Sequence, residues 1–195
     1  GSDEIKIGLI GSGGRGSGAS DQALSTSQPG IVLHAIGDAL KEKAEAARSN
    51  LRDKHPEKVK VDDSRIFAGV DAYQKVIDSC DLVILTTPPG FRPYHFEAAV
   101  NAGKNIFMEK PVAVDSPGVR KVLEMAKVAD EKNLKVVCGL QRRYQNCYLD
   151  ALKQVKEQDV IGEIISGQVY WNGGGIWFRD RQEGMNDLMY QCNNW

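Results

Sequence analysis

Three things are scarce in this sequence, and each scarcity excludes something. Net charge is almost nil: 25 basic residues stand against 26 acidic ones, spread without long blocks. No basic stripe therefore awaits a phosphate backbone, and nucleic acid is not an expected partner. Cysteine is sparse, with Cys80, Cys138, Cys147 and Cys192 far apart; that spacing fits neither a CxxC metal site nor a disulfide framework and reads as buried free thiols, with no metal expected. Long apolar runs are missing too. None reaches the length of a membrane span, and no charged-then-apolar leader precedes the first apolar run, so a membrane is not an expected partner either. The opening Gly1-Ser2 leaves the compartment open: cytoplasmic, or periplasmic if a targeting segment has been removed ahead of Asp3.

What is present is an alternation. Short apolar, β-branched runs occur at residues 5–11, 31–37, 65–69, 82–87, 105–110 and 135–140, and helical stretches separate them. The clearest helix is SPGVRKVLEMAKVADEKN from Ser116, where Ser116 can cap, Pro117 suits the first turn, and Val119, Val122, Leu123 and Ala126 form one apolar face. Strands apolar nearly throughout belong in a sheet covered on both faces, and alternation with helices makes that sheet parallel through right-handed crossovers. The expected fold is a doubly wound α/β domain.

Twenty glycines are a slight surplus, and five of them crowd into GSGGRGSG at residues 11–18, directly behind the first strand. Gly11-Ser12-Gly13-Gly14-Arg15-Gly16 has the spacing G-x-G-x-x-G at a strand-to-helix junction. Gly11 allows the tight turn, Gly13 lets backbone approach a pyrophosphate, and Gly16 lets helix pack close to strand. Helix propensity is given up there to bring backbone N–H groups against an anion; the competing reading is an ordinary flexible loop. The second strand ends in Asp38, about twenty residues beyond the last glycine, where a carboxylate would accept from the adenosine ribose hydroxyls and repel a 2′-phosphate. NAD is thereby favoured over NADP.

A second cluster reads ILTTPPGFRPYHFEAAVNAGKNIFMEKP, residues 84–111, along the carboxyl edge where open α/β sheets bind ligands. Strand, Thr-Pro, a His a few residues on, AGK, strand and Glu-Lys-Pro together resemble the glucose–fructose oxidoreductase and inositol dehydrogenase (Gfo/Idh/MocA) family of NAD(P)-dependent oxidoreductases. The likeness runs from about Ile5 to Arg143, and the opening GLIGSGGRGSGA is most similar to exported bacterial members. The resemblance implies a Rossmann domain over residues 1–143 and the start of a truncated α+β substrate domain over residues 144–195, with residues 163–172 (EIISGQVYWN) as its first antiparallel strand after a helix ending near Gly162. It implies that Thr86, Thr87 and Pro88 pass under the nicotinamide half of the cofactor and that His95 opens the following helix. Glu109 and Lys110 match the Glu-Lys-Pro motif, its Pro111 often preceded by a cis bond, with Lys110 the catalytic residue that assists proton transfer at the substrate hydroxyl or carbonyl.

A lysine beside Glu109 at a sheet edge also reads as a solvated ion pair, and His95 fits either lining the cofactor cleft or donating to a backbone carbonyl. Trp177 and Arg179 resemble residues that fold back towards the cofactor, or else an aromatic packed under a loop. The family's second-domain histidine has no counterpart, since His34, His55 and His95 all lie in the first domain. The expected function is NAD-dependent hydride transfer to or from a sugar, polyol or related hydroxy compound, with this chain carrying the cofactor half and doing little chemistry alone. Two alternatives stay open: an NAD-dependent glycoside hydrolase of the same family, and a dinucleotide-binding module without catalysis. An exposed strand edge would be covered by the rest of a longer protein or by another copy of the chain, so a homo-oligomer is expected.

Overall fold

The structure is a computed structural model that describes residues 4–175 and 178–194. Six strands, β1 (Ile5–Ile10), β2 (Ile31–Asp38), β3 (Ile66–Ala68), β4 (Leu82–Leu85), β5 (Asn105–Met108) and β6 (Val136–Cys138), form one parallel sheet in the order β3-β2-β1-β4-β5-β6. All six apolar runs of the sequence are strands, and the order reverses between β1 and β4. The crevice at that reversal is where a doubly wound sheet binds its ligand.

Alternate residues along each strand feed two cores. Ile7, Leu9, Leu33, Ile36 and Ile84 pack against α1 (Gly14–Leu24) and α2 (Lys41–Lys54), while Ile10, Ala35, Val83, Leu85, Ile106 and Met108 pack against α3 (Ala72–Ser79), α4 (Arg92–Asn101) and α5 (Ser116–Glu131). A period of two on strands buried on both sides explains why these runs read as continuously apolar. Helix α3 lies unusually close to the sheet, because a Cβ on Gly8 or Gly37 would stand 2.5 Å or 2.8 Å from Val76.

Four local expectations are corrected. The cap of α5 is Asp115, in extended backbone, whose carboxylate accepts from the Gly118 N–H at 2.7 Å; Ser116 is already the first helical residue. A carboxylate one residue earlier reaches the N3 amide, as capping geometry requires. The buried face of α5 is Val122 and Ala129 with Met125 and Val128 beside them, whereas Leu123 is 61% exposed. Finally, residues 163–172 form no strand, and Ile165 and Val169 are 95% and 97% exposed. Alternating apolar residues make a strand only where a ladder partner takes up the backbone N–H and C=O groups, and among the described residues none lies alongside. For the same lack of a packing partner, α6 (Asn146–Lys156) buries none of its residues and stops six residues short of Gly162. A last short helix, α7 (Asp187–Asn193), follows.

Candidate active site

The turn from β1 into α1 is built on two close approaches. Gly11 has φ +89°, and a Cβ there would meet the Thr87 backbone N at 2.6 Å. A Cβ on Gly16 would stand 2.0 Å from the Gly11 carbonyl oxygen and 2.7 Å from Thr86 Oγ1. The Thr86 hydroxyl closes this seam, donating to the Gly11 carbonyl at 2.6 Å and joining the end of β4 to the end of β1. Above the loop the situation is the reverse: nothing lies within 4 Å of a Cβ built on Gly13 or Gly14. Gly13 is the N-cap of α1, with no side-chain cap, and the first intrahelical bond runs from Ser17 N to Gly13 O at 2.9 Å. The amides of Gly14, Arg15 and Gly16 therefore point out of the helix without an intrahelical acceptor, into the space above Gly13.

Asp38, at the end of β2, faces the same loop. Its Oδ2 accepts from the Ser12 N–H at 2.7 Å and the Ser12 hydroxyl at 2.9 Å, and its Oδ1 accepts from the Leu40 N–H at 3.1 Å. Ser12 is thus buried as a brace, and Asp38 Oδ1 keeps one acceptor position towards the cavity. That cavity, about 340 Å³, is lined by Gly11, Gly13, Gly14, Arg15 and Gly16, by Asp38 and Lys43, by Thr86, Thr87 and Pro88, and by Arg179 and Cys192. Lys43 donates to Asn193 Oδ1 at 2.7 Å, and Arg179 hydrogen-bonds the same side chain at 2.9 Å. Trp177 lies outside the described residues.

A larger cavity of about 650 Å³ adjoins it, sharing Arg15, Thr86 and Thr87 and walled further by Arg92, Glu109 and Lys110. The Lys110-Pro111 bond is cis. The side chain of Glu109 is buried and pairs with Arg15, Oε1 to Nε at 2.7 Å, while its Oε2 accepts from the Lys110 backbone N–H at 3.3 Å. The two neighbours in Glu-Lys-Pro thus part company: the carboxylate is committed to the glycine loop, and the exposed Lys110 ammonium is left for the cavity. Gly139, just beyond β6, makes room, since a Cβ there would meet Glu109 Oε1 at 2.7 Å.

His95 lines neither of these cavities. Its ring is buried in a 40 Å³ recess, stacked on Tyr73 with centroids 4.2 Å apart, and its Nδ1 is 3.1 Å from the Thr87 hydroxyl. It supports Thr87 from behind, and its partner is a hydroxyl in place of the expected carbonyl. Burial, with the Arg92 guanidinium adding to it, depresses the imidazole from 6.5 to about 4. Between those values the unfolded chain holds a proton that the folded one excludes. The contribution of His95 to stability is then fully present above about pH 6.5 and is lost at about 1.4 kcal/mol per pH unit as pH drops towards 4. Urea midpoints of wild type and His95→Gln across this window are expected to converge as pH falls; parallel profiles would contradict the depressed imidazole.

The description "Oxidoreductase family, NAD-binding Rossmann fold" belongs to a family model, GFO_IDH_MocA, that matches residues 5–140. The chain belongs to this family. Among curated relatives, the inositol 2-dehydrogenase of Paracoccus denitrificans is 30% identical over 154 residues, which is 78% of this chain and 42% of that protein. The scyllo-inositol 2-dehydrogenase (NAD(+)) of Bacillus subtilis is 32% identical over 77% of this chain and 38% of its own length. The myo-inositol 2-dehydrogenase of Lactobacillus plantarum, a solved structure, is similar with a TM-score of 0.65 at 28% identity, covering 84% of this chain and 44% of that one. The chain spans less than half the length of the curated relatives it matches.

Sequence reasoning missed several residues that line these cavities, Lys43 and Arg92 among them. Arg92, the first residue of α4, is 2% exposed and donates to three backbone carbonyls, those of Thr87, Glu109 and Pro111. Its guanidinium ties the loop after β4 to both sides of Lys110. An arginine before a proline at a helix start reads as surface charge, and no spacing rule marks it as buried.

Proposed function

We infer that this chain is the cofactor-binding half of an NAD-dependent oxidoreductase that transfers a hydride between nicotinamide and a hydroxyl-bearing carbon of a polyol or sugar. One observation carries the reading: Lys110 stands in the wall of a cavity that shares Arg15, Thr86 and Thr87 with the cavity over the glycine loop. A dinucleotide resting its diphosphate on the α1 amides would extend past those threonines towards the lysine. The residues fit such a group, because the space a Cβ would take above Gly13 and Gly14 is open and Asp38 keeps an acceptor towards it.

When bound, NAD supplies the hydride acceptor or donor. The chain's own residues do the rest. The α1 amides and Asp38 bind, Thr86, Thr87 and Pro88 orient, and the Lys110 Nζ lone pair takes up the proton of the substrate hydroxyl in oxidation, the same proton being returned from Nζ in reduction. The inositol dehydrogenases among the relatives favour a polyol as substrate.

Calorimetric titration tests this. NAD is expected to bind at least about tenfold more tightly than NADP, since the Asp38 carboxylate opposes a 2′-phosphate, although Lys43 beside it acts in the opposite sense. Lys110→Ala should leave NAD affinity unchanged while removing polyol-dependent NADH formation from any longer form of the protein that shows it. Equal affinities for the two nucleotides would strip Asp38 of its role, and unchanged turnover would strip Lys110 of its own.

A further inference from the structure

The wall of the Lys110 cavity is lopsided in charge. Arg15, Arg92, Lys110, Arg142 and Arg143 line it against one carboxylate, Glu109. Three of these cations are engaged by the protein: Arg15 by Glu109, Arg92 by backbone carbonyls, and Arg142 by the Tyr148 hydroxyl at 2.9 Å and the Trp171 ring, 4.8 Å from its centroid. Lys110 and Arg143 have no side-chain partner among the described residues.

The cofactor's diphosphate does not account for the surplus. Arg142 and Arg143 follow β6, whereas the glycine loop follows β1, and three inter-strand steps separate those strands in the order β1-β4-β5-β6. At strand spacing that is about 14 Å. In strand order the two arginines thus come after Lys110, which follows β5, as one moves away from the glycine loop, the direction in which a substrate's remoter groups would extend. Trp171 adds a flat apolar wall beside them, suited to the C–H face of a pyranose or cyclitol ring.

We propose that the substrate of this site is an anionic sugar or polyol, one carrying a carboxylate or a phosphate, with Arg143 as the counter-ion that selects it. The proposal rests on the oxidoreductase reading only for placing the reacting carbon at Lys110. A guanidinium presents a planar fork that pairs with either anion through two parallel hydrogen bonds. A neutral polyol would leave that fork in water and gain nothing from it. Arg143 is thereby a specificity-determining residue, distinct from Lys110, whose task is the hydroxyl proton.

The test is a calorimetric titration of the NAD-loaded chain with D-glucose, D-glucuronate and D-glucose 6-phosphate, which share a ring and differ in the charge at the sixth carbon. Glucuronate or the phosphate is expected to bind at least about tenfold more tightly than glucose. That preference should shrink at high salt and disappear in Arg143→Gln. Whichever anion is preferred identifies the carboxylate or the phosphate as the recognised group. Equal binding of all three sugars, binding of none, or a preference that survives Arg143→Gln in a variant whose circular dichroism matches wild type would overturn the proposal. NAD titrated separately, with the three sugars titrated again into the chain without NAD, keeps the two readings apart: failure of NAD to bind, with the anion preference intact, counts against the cofactor reading and not against this one.

Discussion

Arg92→Met is expected to destabilise the domain by about 3 kcal/mol. The substitution keeps most of the apolar stem and removes the donors. The carbonyls of Thr87, Glu109 and Pro111 then lose the guanidinium that they share, and an unpaired buried acceptor costs about 1–3 kcal/mol. One effect runs the other way. The guanidinium is itself desolvated, which holds its pKa below the ordinary arginine value, and its Nε has no partner; removing it recovers part of that cost. Three lost acceptors outweigh one orphaned donor, so the net sign is destabilising. Arg92→Lys should recover only part of the loss, because one ammonium cannot reach both Thr87 and the two carbonyls flanking Lys110. Urea unfolding of the three proteins decides it, and a Met variant as stable as wild type would mean that water replaces the guanidinium at no cost.

That residue also marks the boundary of what the sequence makes legible. The sheet is readable because strands buried on both faces are apolar throughout, and the glycine loop is readable because Gly11 and Gly16 each answer a close approach that no larger residue tolerates. Asp38 is a candidate by its distance from the loop, and in the structure its partners are Ser12 and Leu40. Arg92 and the Arg15–Glu109 pair were invisible for a common reason. Burial of a charge depends on which carbonyls or carboxylates the fold delivers to it from distant segments, Glu109 lying 94 residues from Arg15, and no local pattern encodes that meeting. Residues 163–172 are the opposite case: local alternation is present, and among the described residues no strand lies alongside to realise it.

The glycine loop offers the other large effect, as a pair of substitutions three residues apart that should behave in opposite ways. Gly16→Ala would place a Cβ 2.0 Å from the Gly11 carbonyl oxygen. The oxygen is backbone at the end of β1 and the Cβ is fixed rigidly to the backbone of α1, so neither can swing aside as a side-chain tip would. The cost is expected at the upper end of overpacking, about 3 kcal/mol, with NAD binding lost as the turn opens. Gly13→Val meets nothing within 4 Å, and its backbone at φ −64°, ψ −174° is open to any residue. Its stability should fall by less than about 1 kcal/mol, the size of an unfavourable N-cap. Yet the new side chain would occupy the space over the amides of Gly14, Arg15 and Gly16, and NAD affinity should drop by at least about a hundredfold. Thermal melts and NAD titrations of both variants separate folding from binding. If Gly13→Val bound NAD as wild type does, those amides would not be where the diphosphate rests, and the cofactor would have to be anchored elsewhere on the sheet edge.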